Sequence, residues 1–248
     1  TPRPPPPARG APGRVSAPID VQHAGRVRRF GTTELVYHWA QAIPYLTLAV
    51  SGSALLSAHF VTLSEVARER LHLLHLVAAV FQIALPLLVF LTGDRRALLA
   101  NAREAFTWGR ADIQWVVRMH LKPFYPHLEV PQVGKFNAGQ KVNFMLVMLG
   151  IPAMAASGAV MYFVPGVLGA WYVHVALFAV LMPMLAVHLF MATINPSTRH
   201  AMRGILTGEV DRAWAAHHHA EWLSRVDKAG SAPEPDSGST GSPKLGTA

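Results

Sequence analysis

Four histidines, His38, His75, His174 and His188, lie within the apolar stretches of this 248-residue chain. Two of them, His174 and His188, are 14 residues apart in a single uncharged run. On an α-helix that separation returns to the same face within about 40° and covers ~21 Å of rise. One helix then presents an imidazole near each side of a membrane. Imidazole buried in hydrocarbon is costly unless its nitrogens find partners, and a metal ion is the partner that the neutral ring serves best. Four such residues in two pairs form the ligand set for two haems stacked across a bilayer by bis-imidazole ligation. The chain has no cysteine, so disulfides, iron–sulfur ligation, zinc ribbons and the C-x-x-C-H attachment of c-type haem are all excluded. The cofactor expected is non-covalent, hence two haem b.

The elements that must position these residues are membrane spans. Only 15% of residues are charged and 51% are hydrophobic, too apolar for an ordinary soluble domain of this length. Residues 35–64, 71–93 and 142–198 contain no Asp, Glu, Lys or Arg, and one helical span needs ~20 apolar residues. The third run is long enough for two and breaks at Pro165, Gly166 and Gly169. Spans over 142–164 and 170–194 bring the expected total to four. The predicted fold is therefore an all-α integral membrane protein, a four-transmembrane-helix bundle with an amphipathic cytoplasmic loop helix.

Charge placement sets the expected orientation. Of the 22 Lys and Arg residues, Arg68 and Arg70 alone fall between spans one and two, and none falls in the turn between spans three and four. The rest lie in the N-terminal segment, the middle loop and the C-terminal tail. The positive-inside rule then makes both termini and the middle loop cytoplasmic. A net charge of +8 is explained by this asymmetry, and with no basic stripe interleaved with aromatics, nucleic acid is not an expected partner. Residues 1–25 are Pro- and Gly-rich without an apolar core segment and read as a disordered cytoplasmic arm, not a signal peptide. Residues 26–229 form the membrane domain, with the cytoplasmic loop at 94–141 and a C-terminal cytoplasmic helix. Residues 230–248 read as a disordered tail.

Depth then pairs the histidines. Span one runs outward from His38 at its inner end, and span two returns with His75 about one turn from the outer surface. His174 is about one turn into span four from outside, and His188 is near the inside. The expected pairs are His75 with His174 for an outer haem and His38 with His188 for an inner one. His72 competes with His75, since a spacing of three places them on neighbouring faces; His75 is preferred because His72 lies closer to the interface. His23, His59, His120, His127 and His200 are expected in solvated structural roles. His217, His218 and His219 form neither a tag nor a metal site in this reading, because helical sequence follows them. Gly52, Gly150 and Gly158 allow close approach by a porphyrin or by another helix, and either use accounts for them.

In the middle loop, DRRALLANAREAFTWG reads as a surface helix with Leu98, Leu99, Ala102 and Phe106 at three- and four-residue steps. The loop closes with GKFNAGQK, residues 134–141. Its amides and backbone could donate to a quinone carbonyl, its lysines could supply protons or hold phospholipid head groups, and a plain loop-and-cap role explains the same residues.

The order of RFGTTELVYHW, RERLHLLHLVAAVF, VGKFNAGQK, the His174 to His188 spacing and GILTGEVDRAWAAHHHAEW resembles the gamma, or cytochrome b, subunit of membrane-bound respiratory formate dehydrogenases, over about residues 26–227. The resemblance implies that His38 and His188 ligate the cytoplasmic-side haem, and His75 and His174 the outer one. It implies a quinone, menaquinone or ubiquinone, beside the inner haem, with Asn137, Gly139 and Gln140 as candidate contacts. It also implies an iron–sulfur beta subunit feeding electrons to the outer haem and, through it, a molybdenum or tungsten pterin catalytic subunit. It implies, further, that the chain itself does no formate chemistry and that quinone reduction occurs at it. The Pro-rich arm, the long tail and the extra His72 depart from the family pattern. Related cytochrome subunits serve hydrogenases and thiosulfate reductases, and a haem-free anchor or a His-lined transporter is the reading from a different class.

Overall fold

The computed structural model describes residues 25–58 and 60–230; the expected arm, the tail, His23 and His59 lie outside them. Four long helices dominate: α1 (Thr32–Ser57), α2 (Glu65–Thr92), α5 (Ala138–Phe163) and α6 (Leu168–Leu189). Two shorter ones, α3 (Arg95–Phe106) and α4 (Arg110–Leu121), fill the middle loop. After α6 come a π-helical turn (Phe190–Ile194), a 3-10 turn (Arg199–Ala201), α7 (Met202–Thr207), α8 (Arg212–His218) and α9 (Ala220–Gly230).

Among the described residues, three helices are long and apolar enough to cross a membrane: α2, α5, and α6 with its π turn. Their flanks carry uncovered Leu73, Val80, Leu87, Leu149, Val173 and Val180, the surface that lipid covers. Helix α1 has the length, but Tyr37, Trp39, Gln41, Tyr45, Thr47, Ser51 and Ser53 dilute its apolar content. Each long helix also contains a proline, at Pro44, Pro86, Pro152 and Pro183, which membrane helices accommodate because neighbouring groups satisfy the freed carbonyls.

Packing is closest within two helix pairs, α1 with α2 and α5 with α6, and no comparable packing joins one pair to the other among the described residues. Within the second pair, a Cβ on Gly150 would meet Leu181 Cδ2 at 3.0 Å, so Gly150 serves helix packing.

The expectation of an all-α chain needs one addition. A two-stranded antiparallel ladder pairs β1 (Arg26–Arg28) with β2 (Glu209–Asp211), with Val27 opposite Val210. The two valines alternate inward and join Ala215, Trp222 and Leu223 in a small core, as half-buried strands do. Gly208 makes the junction. Its φ of 83° belongs to the left-handed region, and its carbonyl accepts from Arg29 N at 2.7 Å and Phe30 N at 3.1 Å. Trp39 Nε1 donates to Ile205 O at 3.2 Å, fastening the same unit to α1.

Helix α3 starts where expected, with Asp94 accepting from Arg96 N and Ala97 N. Its inward face follows the expected stripe only in part: Ala105 is fully buried, while Leu99 and Phe106 are exposed. Leu98 and Ala102 of that stripe are half-buried and Phe106 meets the Phe144 ring edge-on at 6.0 Å, while Asn101, which hydrogen-bonds both Glu34 Oε1 and Lys135 Nζ, adds a polar side chain to the inward face.

Candidate functional site

Helix α6 carries His174 in its second turn and His188 at its last, and each ring meets a histidine from the other helix pair. His38 of α1 lies against His188 with ring centroids 6.5 Å apart and planes at 47°. His75 of α2 lies against His174 at 6.4 Å and 65°. An imidazole nitrogen binds a transition metal at ~2 Å and sits ~1.2 Å from its own ring centroid, so two trans imidazoles on one metal place their centroids ~6 Å apart. Both pairs have the separation that a shared iron between them requires. The structure thus brings together the four residues singled out by depth, in the same two pairs. His72 is exposed on the neighbouring face of α2, and it is His75 that reaches α6.

The surroundings of the two pairs differ. Ser51 Oγ is 2.9 Å from His75 Nδ1, and Ser157 Oγ is 3.0 Å from His174 Nδ1. Both serines are buried, and sequence reasoning passed over them. Their signal was a repeated Ser-Gly step, Ser51-Gly52 on α1 and Ser157-Gly158 on α5. A Cβ at Gly52 would stand 3.2 Å from His75 Cε1, and one at Gly158 would stand 3.3 Å from His174 Cε1, so both glycines admit a ligand ring. At the other end, His38 meets the Trp39 ring edge-on at 5.4 Å. Neither His38 nor His188 has a side-chain hydrogen bond among the described residues.

The GKFNAGQK segment sits at the end that holds His38 and His188. Lys135 Nζ forms an ion pair with Glu34 Oε1 at 2.7 Å, and Glu34 is one helical turn from His38. Lys135 also bonds Asn101 Oδ1 at 2.7 Å and lies 4.9 Å from the Phe30 ring centroid. Lys141 pairs with Asp112 Oδ1 at 2.8 Å and donates to Thr107 O at 2.9 Å. Asn137 caps α5: its Oδ1 accepts from Gln140 N at 2.9 Å, and Gln140 Oε1 accepts from Asn137 N at 3.1 Å, a reciprocal capping box. The cap uses the two amide oxygens, so the amide nitrogens of Asn137 and Gln140 take no part in it. Gly139 lies beneath Trp115, where a Cβ would meet Trp115 Cη2 at 3.6 Å.

Behind this segment, Arg29 is buried and donates from Nη2 to Lys135 O at 2.6 Å. Burial lowers its pKa to about 10, against the raising effect of Glu104, so it stays cationic at neutral pH. His219, from the triple-histidine run, is also buried and bonds Gly134 O through Nδ1 at 2.9 Å. A carbonyl only accepts, so Nδ1 carries the proton. Burial first and Arg29 second push this imidazole down to about 3, while the Gly134 bond opposes them. His219 is a neutral structural link from the tail to the loop. His120, His127 and His200 are exposed. Among the described residues no cluster of three or more His, Cys, Asp or Glu could hold a metal ion; the two histidine pairs need a cofactor that brings its own remaining ligands, as porphyrin does.

Comparison with known proteins gives the chain a family. The prokaryotic cytochrome b561 family matches residues 29–208. The nitrate-inducible formate dehydrogenase cytochrome b556(Fdn) subunit of Escherichia coli K12 is 28% identical over 137 residues, 52% of this chain and 62% of that protein. Here the chain spans about three-fifths of the relative's length. The formate dehydrogenase cytochrome b556(fdo) subunit of the same strain is 26% identical over 210 residues, 81% of this chain and 93% of that protein. The formate dehydrogenase cytochrome b556 subunit of Haemophilus influenzae is 26% identical over 215 residues, 82% and 85%. With membrane-length helices, paired histidines and a match across most of its length, this chain belongs to the prokaryotic cytochrome b561 family of haem b membrane proteins.

Proposed function

We propose that the chain is the membrane cytochrome b subunit of a formate dehydrogenase complex, binding two haem b groups, the outer one through His75 and His174 and the inner one through His38 and His188. It takes electrons from an iron–sulfur partner at the outer face, itself served by a molybdenum or tungsten pterin catalytic subunit, and delivers them to a quinone near the cytoplasmic face. The haems supply reversible one-electron carriage. The observation that supports this most strongly is one geometry repeated at two depths, ring separations of 6.4 and 6.5 Å at the two ends of α6.

The reading takes α1 as the fourth span. Its 26 residues would measure ~39 Å, more than the ~30 Å of hydrocarbon; Glu34 is its one charged residue, and Val36, Ile43 and Val50 are exposed along it. Both termini are cytoplasmic by the distribution of Lys and Arg. At the inner end, Asn137 and Gln140 keep donor nitrogens for a quinone carbonyl, Gly139 opens the backbone beside them, and Lys135 with Glu34 holds exchangeable protons one turn from His38. Membrane lipid surrounds the apolar flanks.

A reduced-minus-oxidised visible spectrum of the purified chain, with haem b counted by pyridine haemochrome, tests the reading. Two haems per polypeptide, both reducible by formate in the intact complex, are expected. A colourless chain from haem-sufficient cells would overturn the haem assignment, and haems inert to formate would overturn the choice of complex.

A further inference from the structure

The two serines beside the outer pair do more than fill space. Ser51 Oγ donates its own proton to Thr47 O at 2.7 Å, and Ser157 Oγ donates to Met154 O at 3.0 Å. A hydroxyl has one proton. With that proton committed to the backbone, each oxygen meets Nδ1 of its histidine as an acceptor, at 2.9 Å for His75 and 3.0 Å for His174, where the Met154 carbonyl is a second acceptor for the His174 ring. Each ring therefore carries its proton on Nδ1 and presents a lone pair at Nε2. The glycine after each serine leaves only 3.2–3.3 Å between its Cβ direction and the ring's Cε1, so ring rotation is limited on that side too. The arrangement appears twice on unrelated segments: α1 and α5 supply the Ser-Gly steps, α2 and α6 the histidines. A serine that merely satisfied its hydroxyl on its own helix would have no reason to meet an imidazole in both cases.

We propose that Ser51 and Ser157 are positioning residues for the outer haem, which fix both axial histidines in the Nδ1–H tautomer and set that haem's potential apart from the inner one. The inference rests on the di-haem reading above. A hydrogen-bond acceptor on Nδ1–H makes an imidazole more electron-donating toward a metal at Nε2, which favours the oxidised ion. Loss of the acceptor raises the potential. His38 and His188, without such partners, provide the internal control.

The test is a potentiometric titration of the purified full chain with optical and electron-paramagnetic-resonance detection, in Ser51→Ala, Ser157→Ala, the double variant and Ser157→Thr. The outer haem is identified as the one missing from His174→Ala. Expected are two haems per chain, an upward shift of the outer midpoint alone in each alanine variant, a larger shift in the double variant, and return toward the original value in Ser157→Thr. If an alanine variant instead loses haem, the loss is confined to the outer one and Ser157→Thr retains it. The proposal is overturned by unchanged midpoints and g-values in the double variant, by movement of the inner midpoint, or by loss of both haems from Ser157→Thr. Failure of the underlying reading shows separately, as fewer than two haems in the unsubstituted chain.

Discussion

The two ends of α6 hold histidine pairs of nearly identical separation in different chemical settings. The pair at its start is gripped by uncharged groups, two serine hydroxyls and two glycine faces, between apolar helices. The pair at its end has no hydroxyl partner among the described residues and stands over a network of charged groups, Glu34, Lys135, Arg29 and Glu104, bridged by the Asn101 amide. Depth explains the contrast. Inside hydrocarbon an ion pair is expensive and a neutral hydrogen bond is the economical way to orient a ring. At a membrane interface water and head groups tolerate charge, and the proposed quinone site would need titratable groups nearby. On the proposed function, the first end serves to hold a cofactor and the second to exchange with solvent.

The strongest way to break the comparison is to remove the histidines themselves. His174→Ala is expected to leave one haem b per chain and His188→Ala the other, with distinct midpoints remaining in the two variants; haemochrome counts and redox titration read this directly. Retention of two haems in either variant would dissolve the distinction between the ends. A finer test concerns the inner end, where cap and quinone contact draw on the same two residues. Asn137→Asp and Gln140→Glu keep the acceptor oxygens that the capping box uses and remove the donor nitrogens. Each lost donor should raise the KM for quinone about fivefold, at ~1 kcal/mol per hydrogen bond, with thermal stability nearly unchanged. A fall in stability without any change in KM would leave the cap as the whole role of these residues.

Glycine substitutions separate the ends again, with smaller effects. Gly52→Ala and Gly158→Ala push a methyl toward the imidazoles of the outer pair and should alter the outer haem's spectrum. Gly150→Ala meets Leu181 instead and should cost roughly 1–2 kcal/mol of overpacking with both haem spectra unchanged. Thermal melts alongside visible spectra distinguish the two patterns.

How far the sequence disclosed this arrangement depends on which forces made it. The pairing of His38 with His188 and His75 with His174 was legible because a 14-residue step on a helix is covalent geometry, and charge asymmetry assigned depth. Ser51 and Ser157 were not, since a serine in an apolar helix ordinarily bonds its own carbonyl three or four residues back, and its second bond needs a neighbour that local sequence does not name. The β1–β2 ladder joins three residues from each end of the membrane domain, too short for alternation to register. The inward place of Asn101 on α3 goes with its bonds to Glu34 and Lys135, contacts made in the tertiary structure that the apolar stripe does not show. Asn137 and Gln140 fit the capping-box pattern in sequence and form it, and the proposed quinone contact would use the atoms that the cap leaves over.

The most local expected effect concerns acid. If the inner end is held by titratable contacts and the outer end by hydroxyls, lowering the pH should loosen the former first. His219 is the group that reports it. Its pKa is about 3 when folded, against 6.5 in the open chain. The unfolded state therefore binds the proton first, so the stability that neutral His219 contributes is complete above pH 6.5 and is lost progressively as pH falls toward 3, at up to ~1.4 kcal/mol per unit. The faces around it sharpen the effect: Arg29 and His218 both oppose its protonation, and the Gly134 carbonyl alone favours it. Amide exchange of residues 134–135 and of α8 and α9, corrected for intrinsic rates, should accelerate between pH 6.5 and 5, while the amides of α2 and α6 around His75 and His174 hold their protection. His219→Asn keeps a donor for Gly134 and removes the titration, so its exchange in the same segments should lose that pH dependence. Equal loosening at both ends, or an unchanged profile in His219→Asn, would mean that the charged network at the inner end is not what acid dismantles first.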